Sequence, residues 1–265
     1  MGPRAPTALA RETVLITGAS AGLGVEFARL FAADGSDIVL VARREERLRA
    51  LANELADRHG VSARVLAADL SEPDAAEGLM ARLASDGIEI DVLVNNAGFG
   101  ARGPVAEIDA GRQAAMAHLN VGALTGLSRA LLPGMIASGH GGILNVASMA
   151  AFQAGPCMAV YYATKAYVLS FTEALHEEVR GTGVRVSCFC PGPVATEFAE
   201  MADMTDSKLF EKRAAAAAPA ARAGYEGFRA NRAVVIPGLG NKLGIWLQRL
   251  VPRAAIRRIV ARMQR

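Results

Sequence analysis

Cysteine is scarce in this chain: there are three in 265 residues, Cys157, Cys188 and Cys190. Their spacing is not that of a metal-ligand set, and Cys188 and Cys190 alternate onto one face of an expected strand as packed free thiols. Aromatic residues make up only 5% against 52% apolar overall, so the core must be built from Ala, Val, Leu and Ile, which suits a sheet covered by helices. A large charge excess is also missing, and a net charge of +3 is too small to argue for a nucleic-acid partner. There is no signal peptide and no apolar run of transmembrane length, so residues 1–12 read as a frayed leader and the expected compartment is the cytosol. Nor does any linker divide the chain, which is expected to be one α/β domain over 1–265.

What is present alternates between strand and helix patterns. TVLIT (Thr13–Thr17) reads as a buried strand that runs into Gly18, Gly22 and Gly24 and then a helix with Val25, Phe27, Ala28, Leu30 and Phe31 on its apolar positions. Glycines at such a turn let the backbone bend sharply and approach a phosphate, which helix N–H groups then hold; Thr17 and Ser20 add hydroxyls. The next strand, Asp37–Val41, ends at Ala42, Arg43 and Arg44. In a dinucleotide fold an acidic residue here would bind the ribose of NAD, whereas arginine accepts the extra phosphate of NADP. Arginine stands here, so NADP(H) is expected ahead of NAD(H), with Arg43 nearest the strand end and Arg44 open to starting the following charged helix.

A third strand, Ala63–Ala67, leads to Asp69, placed beside the adenine as a hydrogen-bond acceptor and able at the same time to cap a helix beginning near Pro73. The fourth, Asp91–Val94, runs into Asn95, Asn96, Ala97 and Gly98, amides able to lock neighbouring strands and leave room for a flat ring. Residues 107–138 read as helix with Asn120 in the middle, a buried amide that requires a partner. Strand Gly142–Ala147 delivers Ser148. A helix follows over 161–180, then strand Val184–Cys190, the rigid turn Pro191, Gly192, Pro193, and a last strand over 233–236.

Tyr161 and Lys165 stand at i and i+4, so a helix opening near Tyr161 converges phenol and ammonium on one site. A tyrosine titrates near ~10, and a neighbouring cation is expected to pull that value down and make Tyr161 a general acid/base. Ser148, thirteen residues earlier, can hold a substrate oxygen against the phenol.

In order and spacing, Thr17-Gly18-x-x-x-Gly22-x-Gly24, Asn95-Asn96-Ala97-Gly98, Asn120, Ser148, Tyr161-x-x-x-Lys165 and Pro191-Gly192 resemble the compact short-chain dehydrogenases/reductases over roughly 13–236. The resemblance implies a Rossmann-like sheet of about seven parallel strands flanked by helices. It also implies proton transfer by Tyr161, support from Lys165, which would also bind the nicotinamide ribose, substrate polarisation by Ser148, and a water held by Asn120 that links Lys165 to solvent. Gly18, Ser20, Gly22 and Gly24 match the pyrophosphate loop, Asp69 the adenine contact, Asn96 the adenosine-ribose region, and the stretch from Pro191 and Gly192 the nicotinamide wall. Leu23, Leu70, Ala97, Gly98, Val194 and Thr196 complete the implied cofactor contacts. Members pair through the helices corresponding to 107–138 and 161–180, so a homodimer or homotetramer is expected.

The loop between Ser148 and Tyr161 carries no charge, nor do Phe99 and Gly100, which favours an apolar ketone of 3-oxoacyl, sphingoid or steroid type over sugars and small acids. Residues of about 194–230 are expected to form a lid. The tail from 240 to 265 has seven basic residues and no acidic one, with apolar residues at helical spacing on either side of Pro252. It is expected to lie on an anionic membrane surface, on the lid or on a partner subunit. The function expected is NADPH-dependent reduction of an apolar ketone; the alternatives are oxidation of a long-chain or steroid-like alcohol, and a non-catalytic dinucleotide-binding regulator.

Overall fold

The computed structural model describes residues 11–202, 215–248 and 250–264. Seven strands, β1 (Thr13–Thr17), β2 (Asp37–Ala42), β3 (Ala63–Ala67), β4 (Val92–Asn95), β5 (Gly142–Val146), β6 (Arg185–Phe189) and β7 (Val234–Val235), form one sheet. The order is β3-β2-β1-β4-β5-β6-β7, and every pairing is parallel. Runs such as VLI and IVLV are buried on both faces, as a parallel sheet covered by helices requires. Helices α1 (Gly22–Ala33), α2 (Glu45–His59), α3 (Ala75–Ser85) and α6 (Ala159–Glu178) alternate with the strands.

One face of the sheet is packed by Phe27, Phe31, Phe189 and Phe228, and the other by Leu15, Leu93, Ile143 and Val186. Burying each such side chain stabilises the fold by roughly 1.5–3 kcal/mol before entropy is counted. A polar seam crosses the second face: Asn95 Nδ2 donates to Asn145 Oδ1 at 2.9 Å and to Ser128 Oγ at 3.0 Å, and Asn145 Nδ2 donates to Thr172 Oγ1 at 3.0 Å. The first of the two adjacent amides thus ties the strand ends to the helices.

The helical region expected over 107–138 starts at Ala110, where the Asp109 side chain accepts from Arg112 N at 2.7 Å. It is α4 (Ala110–Ala117), a π-helical turn (His118–Ala123) and α5 (Leu124–Ser138). Contrary to the sequence expectation, this stretch is long and apolar enough to cross a membrane, with a mean hydropathy of 1.2 in its most apolar window. Its inward residues Met116, Ala123, Leu127 and Met135 nonetheless belong to the packed core.

The expected lid is corrected in part. Within it, α7 (Phe198–Met201) lies at the cleft and residues 203–214 fall outside the described ones. Helix α8 (Ala217–Arg229) instead buries Ala221, Tyr225 and Phe228 against α1 and β6, so it is part of the core layer, held there by its aromatic face. The tail forms α9 (Leu239–Gln248) and α10 (Arg253–Gln264), broken at Pro252. Ile256 and Val260 of α10 pack with Met158, Tyr161 and Tyr162, which puts this helix over the cleft.

Candidate active site

Strand β1 lies between β2 and β4, so the crossover direction reverses there and a crevice opens beyond the strand ends. Gly18 stands at φ +67, in the left-handed region, and a Cβ there would sit 2.9 Å from Ala97 Cα. A Cβ on Gly24 would lie 2.3 Å from the Gly18 carbonyl oxygen. This glycine therefore lets α1 approach β1 and does not itself line the cleft. Asn96 secures the loop: its Nδ2 donates to the Thr17 and Gly18 carbonyls at 2.9 and 3.2 Å, while Thr17 Oγ1 accepts from the Asn96 and Ala97 amides, both at 3.0 Å. The first turn of α1 has no side-chain cap and no acidic residue, which leaves its N–H groups for an anion.

At the far end of the cleft, Arg44 donates to Ser20 Oγ at 3.1 Å and to Glu197 at 2.6 Å, and Arg47 also bonds Glu197. Arg43 lies 3.7 Å from Asp69. Burial alone would raise the Asp69 carboxyl, but the Ser71 hydroxyl and amide, with Arg43, hold it below the usual range. Asp69 closes this turn and does not cap α3, whose N-cap is Asp74. Arg44 precedes α2 and turns to the cleft; the sequence signal for that was its place one residue after Arg43, at the end of a strand.

At the other end, Ser148 leaves β5 in extended conformation and accepts from Ala150 N at 3.1 Å. Its hydroxyl stands close enough to the Tyr161 phenol to favour the phenolate. Because α6 opens at Ala159, Tyr161 and Lys165 share a face, with Lys165 Nζ 5.9 Å from the Tyr161 ring centre. The expected depression of the Tyr161 pKa is not found. Burial is the largest effect and pushes the phenol up, Tyr162 adds to it, and Ser148 opposes it. Lys165 is 5% exposed and its ammonium is pulled down to about 8 by burial, with Cys188 and Cys190 acting the other way. Its proton is directed to the Val146 carbonyl at 2.8 Å, so the lysine serves the strand end before the phenol.

Asn120 sits in the π-helical turn, a distortion common near functional sites that left no sequence signal. Its Oδ1 accepts from Phe99 N at 3.1 Å, and its Nδ2 donates to Phe99 O at 3.0 Å and to Thr164 Oγ1 at 3.1 Å. It stands behind Gly98, clamping the wall of the cleft and not lining it.

Thr17, expected to offer a hydroxyl to the phosphate, is buried and spends it on the Asn96 and Ala97 amides; the other expected residues line one cavity of about 1320 Å³, with Gly18, Ser20, Gly22 and Leu23 at the loop and Arg43, Asp69 and Leu70 beside them. Asn96, Ala97 and Gly98 form one side, Ser148, Tyr161 and Lys165 the floor, and Pro191, Gly192, Val194 and Thr196 the opposite wall. Pro191 O accepts from Met149 N at 2.8 Å, and Thr196 Oγ1 accepts from Phe198 N at 3.3 Å. The volume exceeds the roughly 300–1,000 Å³ of an ordinary ligand pocket, which suits a dinucleotide and a substrate together. An uncapped helix start, a glycine turn and an arginine–serine pair fit such a cofactor.

Phe198 of the expected lid does stand at the catalytic end, but sequence reasoning did not single out the tail residues that cover it. Phe198 lies 5.3 Å from the Tyr161 ring, centre to centre, and Ile256, Ile259, Val260 and Gln264 of α10 close the apolar side. Their separation from Tyr161 along the chain hid this.

Residues 12–206 match the family model for short chain dehydrogenases. The chain is 39% identical to sulfoacetaldehyde reductase 2 of Chromohalobacter salexigens over 189 residues, 71% of this chain and 74% of that one. It is 33% identical to a very-long-chain 3-oxoacyl-CoA reductase of Rattus norvegicus over 202 residues, 74% of this chain and 64% of the rat protein. Among solved structures, a short-chain dehydrogenase from Sphingobium yanoikuyae in complex with NADPH is 36% identical and superposes with a TM-score of 0.81, covering 90% of this chain and 94% of that one.

Proposed function

The chain belongs to the short-chain dehydrogenase family, and from that premise we propose that it is an NADPH-dependent reductase of apolar ketones. Family membership makes it an oxidoreductase of the carbonyl/alcohol pair. The finer reading is carried by one observation: Ser148, Tyr161 and Lys165 meet at the floor of a cavity whose cover is apolar, drawn from Phe198, Ile256 and Val260. Against that cover sugars and small acids would lose water and gain few partners.

When bound, the nicotinamide supplies a hydride to the carbonyl carbon. Ser148 donates to the carbonyl oxygen and holds it against Tyr161, whose phenol then transfers its proton to that oxygen. Burial keeps the phenol protonated at neutral pH, the form a reduction needs. Lys165, on the same face of α6, lends positive charge to the phenolate that forms and is oriented by Val146 O. The N-terminus of α1 would hold the pyrophosphate, and Ser20, Arg43 and Arg44 the 2′-phosphate that distinguishes NADP from NAD. Asp69 and Leu70 would border the adenine, Lys165 the ribose, and residues 191–196 the nicotinamide.

NADPH oxidation by the purified protein, measured over ketones graded in chain length, tests this, with NADH in parallel. Rates should rise with apolar length and favour NADPH. Tyr161→Phe should lower turnover by about 10²–10⁴-fold and leave NADPH binding in place. If NADPH binds but neither ketones nor the matching alcohols with NADP are turned over, the chain is a dinucleotide-binding regulator and the reading falls.

A further inference from the structure

Residues 194–198 form a strap that runs from the wall of the cleft to its arginine end. Val194 bridges to Ala215, and Ala195 N donates to Ala215 O at 2.9 Å. Thr196 packs so closely on the glycine turn that a Cβ on Gly22 would lie 2.7 Å from its Cγ2. Glu197, the one charged residue of the strap, then meets two arginines: Arg44 Nη1 donates to its Oε2 at 2.6 Å, and Arg47 bonds its Oε1. Arg44 and Arg47 stand at i and i+3 at the start of α2 and so share a face. The Glu197 side chain is 34% exposed and that of Arg44 42%, and both line the cavity, so a ligand can reach them.

The 2′-phosphate of NADP, assigned above to Ser20, Arg43 and Arg44, meets a competitor here. Each of the three Arg44 nitrogens already has a partner: Nη1 has Glu197, while Nε and Nη2 donate to Ser20 Oγ at 3.3 and 3.1 Å. Bidentate binding of a phosphate needs two of those donors. The phosphate also carries about two negative charges at neutral pH, and a carboxylate kept on the same guanidinium would repel it. Exposed ion pairs are weak and screened, so a group with more charge and three acceptor oxygens can take the arginines over. The uncharged 2′-hydroxyl of NAD neither needs them nor is repelled.

We propose that Glu197 is a specificity-determining residue that competes with the 2′-phosphate of NADP for Arg44 and Arg47, and that Arg47 joins Arg44 on the phosphate. This rests on the NADP reading of the cofactor site and adds one residue that opposes the phosphate and one that receives it.

Calorimetric titration of the wild type, Glu197→Gln and Arg47→Gln tests this, with NADPH and NADH as ligands and adenosine 2′,5′-bisphosphate and AMP as probes lacking the nicotinamide. Glu197→Gln keeps the size of a half-exposed side chain and removes its charge. It should tighten NADPH and the bisphosphate about three- to tenfold and leave NADH and AMP within about twofold. Arg47→Gln should weaken the two phosphate-bearing ligands alone; unchanged NADPH binding would remove Arg47 from the site. If Glu197→Gln shifts all four ligands equally, the residue only braces the strap, and if it weakens NADPH, the residue orients Arg44. Either result, or no change, overturns the competition while the NADP reading stands. If neither the wild type nor Glu197→Gln prefers NADPH to NADH, the NADP reading fails and the competition with it.

Discussion

Lys165 shows how one buried charge links chemistry and stability. Burial lowers its pKa from 10.5 to about 8, so between those values the unfolded chain holds the proton that the folded protein has released. The cost of burying the ammonium is therefore full below about pH 8 and fades as pH rises toward 10.5. Lys165→Met, similar in length and uncharged, is expected to stabilise the fold at pH 7 by an amount on the order of a few kcal/mol, and by much less at pH 10. Urea titrations of both proteins at the two pH values check this, and a gain that does not depend on pH would refute it. The same substitution should abolish reduction, the usual opposition between stability and function at a site. At this scale Ser148, Tyr161 and Lys165 were legible from their spacing. The direction of the Tyr161 shift was not, because burial outweighed the Ser148 hydrogen bond and burial depends on what packs above the ring.

Among the elements, α10 carries the most testable consequence. It adds Ile256 and Val260 to the apolar cover of the catalytic end, whereas Ser20, Arg43 and Arg44 stand at the opposite end of the cleft. Ending the chain before Arg253 should raise KM for apolar ketones about tenfold or more, since each aliphatic side chain taken from the cover is worth roughly 1.5–3 kcal/mol. The dissociation constant for NADPH should stay within about twofold of the full chain, because each 1.4 kcal/mol is tenfold and the residues assigned to the cofactor all remain. Steady-state kinetics and fluorescence titration separate the two quantities; loss of NADPH binding would show that the tail does more than cover the substrate. The strands were legible almost to the residue, since buried parallel strands read as unbroken Val, Ile and Leu runs. The π-helical turn at Asn120 was not, because one residue of extra winding leaves no trace in an apolar pattern.

For the molecule as a whole, two surfaces are left to partners. On the first, Ile136 of α5 is 41% exposed and Tyr167 of α6 39%, with Tyr167 stacked on Phe171 at 5.7 Å. These are the helices through which the family resemblance implies pairing, and light scattering should give a dimer or tetramer; a monomer at micromolar concentration would refute it. The second surface is on α9 and the turn after it: Leu239 is 84% exposed and Leu243 and Trp246 57% each on the helix, Leu250 is 68% exposed in the turn, and Lys242 and Arg253 stand nearby in the chain. We propose that this face rests on anionic lipid. The protein should sediment with phosphatidylserine vesicles and not with neutral ones, and Leu243→Ser with Trp246→Ser should abolish that. Equal recovery with both vesicle types would sink it.

Sequence alone determined the strands, the glycine loop and the Tyr161–Lys165 pair, because each depends on local periodicity or on spacing that one helix or turn converts into proximity; the parallel sheet and the place of Ser148 beside that pair came from the family resemblance. It also marked the tail as two basic amphipathic helices. Only the tertiary structure decided that the second of these closes the substrate cavity and that Arg44 joins Ser20. Those facts depend on which elements meet across long separations in the chain, and such meetings are set by the packing of whole faces, which no local pattern records.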